Sequence, residues 1–355
     1  MRIVVNDIAA SSGGAKTVLM DFYHYLVESK DKNEWIFLLG DLHLDETRYI
    51  KVINFPEIKK NKFKKLYFDF FGGRRVIKEL NADVVFSLQN IITFGVRCPQ
   101  IVYVHQSIPF QRTKNFSFFK KKERKFAIYQ YLIGVIIKFS IRKATKTVVQ
   151  TNWMKESVLQ QCKIESERVL KISPCVDHDL IKRGKLIGEV ENKEFFYPTS
   201  ASLYKNNDLI IDAVRLLENK GFSFVCTLTI DGEVGKSKHV SYVGRLPYEE
   251  VISKYYTSCL VFPSYIETYG YPLVEARTAG SLILASDCLF SRELLNDYEN
   301  AYFFNPFRVE ELAELMEKVI IGEIKKKDVV AIDEEIENSW KYVVDEIINV
   351  KSGKD

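Results

Sequence analysis

The sequence predicts an α/β protein made of two doubly wound domains, and three observations carry that prediction. Short apolar runs alternate with turn-bounded helical patterns through both halves, as in parallel sheets covered by helices. At 355 residues the chain is long enough for two cores, on a prior of about 150 residues each. Between the halves, the polar, glycine-bearing stretch 177–192 reads as a linker.

In chain order, Arg2-Ile-Val-Val5 is a short strand and Ser11-Ser-Gly-Gly-Ala15 a turn. Val18, Leu19, Phe22 and Leu26 then make one face of a helix. This opening unit lacks the G-x-G-x-x-G fingerprint, which argues against NAD or FAD. Gly13-Gly14 either lets a ligand come close to the backbone or simply makes a tight turn. Strand-like runs recur at Trp35–Leu39, Val84–Ser87, Ile101–Val104 and Thr147–Gln150. His105 follows the third of these, at the strand end where open α/β sheets bind ligands, and a structural histidine is the competing reading.

The second half opens with a strand at Glu194–Tyr197 and a loop to Lys205. A helix follows, with Asn207 or Asp208 as its cap, Leu209, Ile210, Ala213, Val214 and Leu217 as its apolar face, and Gly221 as its stop. Lys205 thus stands at a helix start, where a cation can contact phosphate or simply be solvated. Strands are expected at Phe224–Ile230, Val240–Val243, Leu260–Phe262 and Leu282–Asp287, and helices at Val251–Ser258, Arg292–Leu295 and Val309–Ile321. Trp340, Val343, Val344, Ile347 and Ile348 mark an amphipathic C-terminal helix.

A hydrophobic content of 46% with nine prolines is ordinary globular composition. Six scattered cysteines (98, 162, 175, 226, 259, 288), without a Cys-x-x-Cys pair, favour buried thiols over a disulfide or zinc framework. The first apolar run is too short for a signal peptide, so a cytoplasmic location is expected. Charge is unevenly divided. Residues 1–175 hold 30 Lys and Arg against 16 Asp and Glu, and the remainder 21 against 31. The basic half is therefore expected to meet something anionic.

Two tracts concentrate that charge, Lys59-Lys-Asn-Lys-Phe-Lys-Lys65 and Phe118-Phe-Lys-Lys-Lys-Glu-Arg-Lys-Phe126, the second with its cations at Lys120–Lys125. Interleaved aromatics suit an anionic membrane surface, with nucleic acid or plain solvent as alternatives. No nucleic-acid reading module is recognisable, so nucleic acid is not expected as a partner. Segment 127–141 carries Ile128, Leu132, Val135, Ile136 and Phe139 at helical spacing. It is too short for a membrane span and is read as a buried domain helix, with a monotopic membrane contact as the alternative.

The most informative stretch is Pro263-Ser-Tyr-Ile-Glu267-Thr-Tyr-Gly-Tyr-Pro-Leu-Val-Glu275-Ala276, running to Gly280. Its pattern is strand, Gly/Pro turn and helix, with Pro272 suited to the first helical position and Glu275 expected in the first turn. Two carboxylates and several backbone N–H groups would share one opening, which suits an anionic, hydroxyl-rich ligand.

These residues resemble family 4 retaining glycosyltransferases of the GT-B fold, two Rossmann-like domains facing across a cleft. The E-x7-E spacing is met by Glu267 and Glu275 within its surrounding Ser, Gly, Pro and Ala/Gly pattern. The resemblance is strong over residues 195–305 and looser from the start to 177. It implies an N-terminal acceptor-side domain 1–177, completed by a C-terminal helix 338–355, a linker 178–193, and a nucleotide-sugar domain 194–337. It further implies that Glu267, His105 and Lys205 act at the reacting centre. Glu267 would contact the transferred sugar, and Lys205 the leaving diphosphate. Glu275 would bind the ribose, with Gly13, Gly14, Thr268, Tyr269, Gly270, Tyr271 and Leu273 around sugar and phosphates. Arg245 and Leu246 fall in one of the segments resembling base-binding loops, and Asp231–Glu233 is the other. Two positions depart from the family pattern: Ser200 replaces an arginine five residues before Lys205, and Gln106 replaces an aspartate after His105.

By the same resemblance the donor is a nucleoside diphosphate sugar, and no cofactor or obligatory metal is expected. The acceptor is expected to be a glycan, lipid-linked, at the inner membrane face in O-antigen or capsule synthesis. A nucleotide-sugar epimerase of the same fold and a non-catalytic sugar-nucleotide-binding partner are the alternatives.

Overall fold

The computed structural model describes residues 1–10, 14–174, 176, 193–232, 237–328 and 339–352, apart from the side chains of Lys62 and Ser352. Gly13, Cys175, Glu233 and almost all of the expected linker lie outside the described residues. Two parallel sheets organise the chain. The first contains β1 (Arg2–Asp7), β2 (Glu34–Leu39), β3 (Ile50–Asn54), β4 (Val84–Ser87), β5 (Gln100–Val104), β6 (Lys146–Val149) and β7 (Val169–Lys171), in the order β3-β2-β1-β4-β5-β6-β7. The second contains β8 (Glu194–Tyr197), β9 (Val225–Leu228), β10 (Val240–Tyr242), β11 (Cys259–Phe262), β12 (Ile283–Ser286) and β13 (Ala301–Phe304), in the order β10-β9-β8-β11-β12-β13. The order reverses beside β1 and again beside β8, so each sheet has a switch-point crevice at its carboxyl end.

The central strands are buried on both faces, which is why they read as uninterrupted apolar runs. Helix Gly14–Ser29 buries Val18, Leu19, Phe22, Tyr23 and Leu26, the predicted stripe with one tyrosine added. Helix Asn207–Asn219 buries all five predicted residues, but its start differs. Asn207 is already helical, and Asn206, at φ 59°, is the residue before the helix. The Asn206 amide donates to the carbonyls of Pro263 (3.3 Å) and Pro306 (2.7 Å), tying the helix start to the loop after β11. Asn207 instead bonds Thr199 and the Ser200 carbonyl.

The C-terminal helix Ser339–Ser352 crosses to the first domain, where Trp340, Val343, Val344 and Ile347 join its core. The Trp340 ring lies 4.9 Å from that of Phe22 and stacks at 5.6 Å on Tyr103. Another apolar cluster runs without a break from Ile137, Met154 and Val158 of the first domain into Phe196 and Phe262 of the second. Among the described residues the cysteines are free, and four of the five are buried.

Segment 124–143 overturns its expected burial. A helix Arg124–Ala127, a widened π-turn Ile128–Ile133 and a helix Gly134–Lys143 follow one another. Gln130, Gly134, Ile137, Ser140 and Ile141 face inward, while Ile128, Leu132, Val135 and Phe139 are exposed. Packing placed Gln130, Gly134 and Ser140 beside two isoleucines on the inner face and left four of the five expected apolar residues in solvent. Among the described residues, no helix is long and apolar enough to cross a membrane.

Trp340→Ala should lower unfolding free energy by about 3–5 kcal/mol, as expected for emptying a buried aromatic site. Denaturant titration measures it, and a loss below about 1 kcal/mol would mean the C-terminal helix is not integral to the first domain.

Candidate active site

Between the sheets, the loop Pro263–Gly270 leaves β11 and enters helix Tyr271–Thr278. Gly270 takes φ 94°, a left-handed conformation that turns the chain into the helix at low steric cost. Pro272 takes the second helical position rather than the expected first, and Leu273 N–H is bonded to the Gly270 carbonyl at 2.9 Å. An anion at this terminus would therefore meet N–H groups preceding Leu273.

Lys205 and Glu267 meet. Lys205 ends a short turn, Leu203–Lys205, and its Nζ lies 2.5 Å from Glu267 Oε1. Ser264 Oγ donates to the same oxygen at 2.7 Å. The Lys205 ammonium also lies 5.8 Å from the ring centres of Tyr204 and Phe262. Burial disfavours its charge, but the Glu267 carboxylate, with Tyr197 and Tyr204 beside it, outweighs burial and holds the lysine pKa above its ordinary value.

Glu275 sits deeper. The helix begins at Tyr271, so Glu275 falls in its second turn rather than its first. It is buried, with Oε1 accepting from Tyr248 Oη at 3.0 Å and Oε2 from Tyr255 Oη at 2.8 Å. Burial raises its pKa, and the two tyrosines counteract that only in part. The tyrosine clamp escapes sequence reasoning, because Tyr248 and Tyr255 are ordinary helix residues until the fold brings them to Glu275.

His105 follows β5 in the first domain, and its carbonyl accepts from Thr268 Oγ1 at 3.1 Å across the interface. Thr151 Oγ1 donates back to the Thr268 carbonyl at 3.0 Å, so one threonine is held by both domains. Burial depresses the His105 pKa to about 4, and among the described residues its Nδ1 has no hydrogen-bond partner. The imidazole is therefore neutral at physiological pH. Glu293, absent from the sequence expectations, accepts the N–H groups of Asn152 (2.7 Å) and Trp153 (2.8 Å), capping a first-domain helix from the second domain.

A cavity of about 300 Å³ between the domains is lined by Glu267, Ile266 and Tyr265 on one side and by Phe110 and Trp153 on the other. Arg245 is exposed after β10, beside Gly244 at φ 63°, while Leu246 packs against the core. Gly14 starts its helix with open space where a side chain would stand. Tyr269 and Tyr271 meet edge-to-face at 5.3 Å, and the Tyr271 hydroxyl is buried without a partner among the described residues. Among the described residues, no three His, Cys, Asp or Glu side chains gather to hold a metal ion.

The carboxyl end of β1 holds a second polar group that the sequence expectations missed. Asp7 is buried, and among the described residues neither carboxylate oxygen has a hydrogen-bond partner. Burial raises its pKa to about 7, with the charges of Lys65 and Lys59 holding it down only partly. Lys65 is itself buried in an ion pair with Asp69, and Gln89 donates to Asp69 at 3.0 Å. Lys59 is paired with Asp41. Lys60 and Lys64 share Glu57 at 3.6 and 4.0 Å, so four lysines of the first basic tract face carboxylates of their own chain, which narrows the tract's outward charge.

A raised carboxylate pKa contributes stability that is present below the unfolded value of 3.8 and is lost as pH rises through about 7. Asp7→Asn should therefore gain stability relative to the parent across that window, by a few kcal/mol at about pH 8. Thermal unfolding from pH 4 to 8 reads the difference, and parallel curves for the two proteins would contradict it.

Sequence and structure comparisons agree with this architecture. The family model for glycosyl transferases group 1 matches residues 181–335, and that for glycosyltransferase family 4 matches residues 12–180. A search of curated proteins finds no match. Among solved structures, Anabaena HepE in complex with UDP and glucose is similar at 16% identity and TM-score 0.63, covering 99% of this chain and 98% of that one. WaaG, a glycosyltransferase involved in lipopolysaccharide biosynthesis, is similar at 16% identity and TM-score 0.65, covering 97% and 99%. Sucrose-phosphate synthase from Thermosynechococcus elongatus reaches TM-score 0.68 at 11% identity, covering 99% and 97%. At such identities these likenesses establish the fold, and the two family models, which together run from residue 12 to 335, place the protein among the family 4 glycosyltransferases of GT-B type.

Proposed function

We propose that the protein is a retaining glycosyltransferase that moves a sugar from a nucleoside diphosphate sugar to a glycan hydroxyl on a lipid-linked acceptor. The observation that carries this reading is the Lys205–Glu267 pair, set beside a helix N-terminus at the switch-point end of the second sheet. An entering diphosphate competes for the Lys205 ammonium and releases Glu267 to accept sugar hydroxyls. Lys205 and the helix terminus then offset charge that builds on the leaving diphosphate, so the reaction needs no obligatory metal.

Glu275 receives the ribose diol on lone pairs that Tyr248 and Tyr255 leave open, since each carboxylate oxygen accepts more than one bond. His105 stands near the reacting sugar as a neutral imidazole. Gly14 brings backbone to the donor phosphates, and Arg245 and Leu246 border the base. Solved relatives in shape support a nucleotide donor, since Anabaena HepE has been crystallised with UDP and with UDP-glucose. WaaG and the lipopolysaccharide outer core galactosyltransferase WaaB support a place in surface-polysaccharide synthesis.

The acceptor side faces a membrane in this reading. Phe63 is 84% and Phe119 94% exposed, and Tyr67, Leu132 and Val135 are also bare. Lys60, Lys64, Lys120, Lys121 and Lys122 flank these residues and are exposed. Bare aromatics between outward lysines suit the inner, anionic face of a bilayer.

Glu267→Gln should cut turnover by about 10²–10³-fold with donor binding largely kept. Glu275→Gln should weaken donor binding by about 10–100-fold, the loss of hydrogen bonds to a charged group. Radiolabelled transfer and calorimetry separate the two effects, and wild-type behaviour of both variants would remove the site assignment. Donor consumption without any acceptor would point to an epimerase instead. In flotation with anionic liposomes, Phe119→Ala/Leu132→Ala should reduce the bound fraction at least tenfold, given about 1.5–3 kcal/mol per buried apolar side chain. Unchanged flotation would detach the apolar surface from membrane binding.

A further inference from the structure

A concavity of about 670 Å³ opens at the amino-terminal ends of β4 and β5, the opposite end of the first sheet from the cleft. Its cations are Arg74, Arg75, Lys78 and Arg97, over an apolar floor that includes Ile77 and Val96. Glu79 accepts from Arg75 Nε at 2.8 Å, which offsets one charge. Among the described residues, no ion pair involves Arg74, Lys78 or Arg97, so three positive charges remain uncompensated. Arg74 and Lys78 lie one turn apart on helix Gly73–Glu79 and project to the same side.

The pocket is shaped for one of these cations. Gly95 has φ 76°, and a Cβ there would lie 3.1 Å from Arg74 Cδ and 3.6 Å from its Nη1. A side chain there would press on the arginine, which passes close over the backbone at that point. An anion with several acceptor oxygens suits such a constellation, because a guanidinium presents paired donors and Lys78 a point charge.

What lies next to the pocket selects the kind of anion. Phe71, 58% exposed, precedes Arg74 by three residues, and Phe70 stacks on Phe94 at 4.4 Å. Phe94, the neighbour of Gly95, stacks in turn on Phe139 at 5.8 Å, on the helix that also exposes Val135. A basic pocket thus borders a continuous apolar ridge, and one molecule with a phosphate head and acyl chains satisfies both. We propose that Arg74, Lys78 and Arg97 form a headgroup site for an anionic phospholipid bearing a phosphomonoester, whose chains lie along the Phe71–Phe94–Phe139 ridge. This rests on the membrane-facing reading above and adds a discrete headgroup site to it.

The test uses the full-length protein and vesicles of phosphatidylcholine with either phosphatidic acid or phosphatidylglycerol at matched surface charge. Wild type should prefer the phosphomonoester. Arg74→Ala/Arg97→Ala should lose that preference and bind phosphatidic acid vesicles about 30-fold more weakly, at about 1 kcal/mol per basic residue near an anionic surface. Lys121→Ala/Lys122→Ala removes the same charge from the other tract and should keep the preference. Melting curves should leave both variants folded, since all four positions are exposed. Equal behaviour of the two variants would reduce the pocket to general surface charge and overturn the site. Saturation of the pocket by glycerol 3-phosphate, with vesicle binding unaffected, would assign it to a free phosphate and overturn the lipid. Failure of the wild type to bind any vesicle would remove the membrane reading together with the site. Wild-type binding with an unchanged pocket variant would remove the site alone.

Discussion

Parallel strands cannot be joined by tight hairpins, so each is followed by a crossover, and all the loops at one end of a sheet gather on the same side. Both sheets here obey that constraint, and both reverse their order next to their first strand. The reversal parts neighbouring crossovers and leaves a crevice in each sheet. His105 and Asp7 sit at the carboxyl ends of the first sheet, Lys205 and the Glu267 loop at those of the second. The threonine exchange between Thr268, His105 and Thr151, and the Glu293 cap on a first-domain helix, then hold the two ends together.

Within that frame, the carboxylates differ by what surrounds them. Glu267 shares one oxygen between an ammonium and a serine hydroxyl, an arrangement a phosphate can displace. Glu275 is buried against two tyrosines that fix its orientation. Asp7 is buried with neither, and its pKa rises to about 7. The three acids thus have three different electrostatic settings.

Much of this was legible in the sequence. Central strands and the apolar stripes of helices Gly14–Ser29 and Ser339–Ser352 follow from apolar periodicity, whereas the return of Trp340 to the first domain comes from the family resemblance. The strands that escaped, β3, β7 and β13, are all sheet edges, short and only partly buried, where the pattern weakens. The segment after Arg124 misled for another reason. Its widened turn and inward Gly134 and Ser140 put the large apolar residues outside, and periodicity alone does not say which face of a helix is covered. The Glu267 motif was visible from its spacing, whereas the Tyr248–Tyr255 clamp, Glu293 and the Arg74–Arg97 pocket exist only once distant segments meet.

The central claim is that Lys205 and Glu267 hold the site for a nucleoside diphosphate sugar. Calorimetric titration of wild type and Lys205→Ala with UDP-, GDP- and ADP-sugars and with the matching nucleosides tests it most directly. One base series should bind, and the lysine variant should weaken its diphosphate sugar at least tenfold while leaving the nucleoside within about twofold, the loss of one charge-assisted contact. Equal weakening of sugar nucleotide and nucleoside, or no binding of any of them to the wild type, would contradict the account.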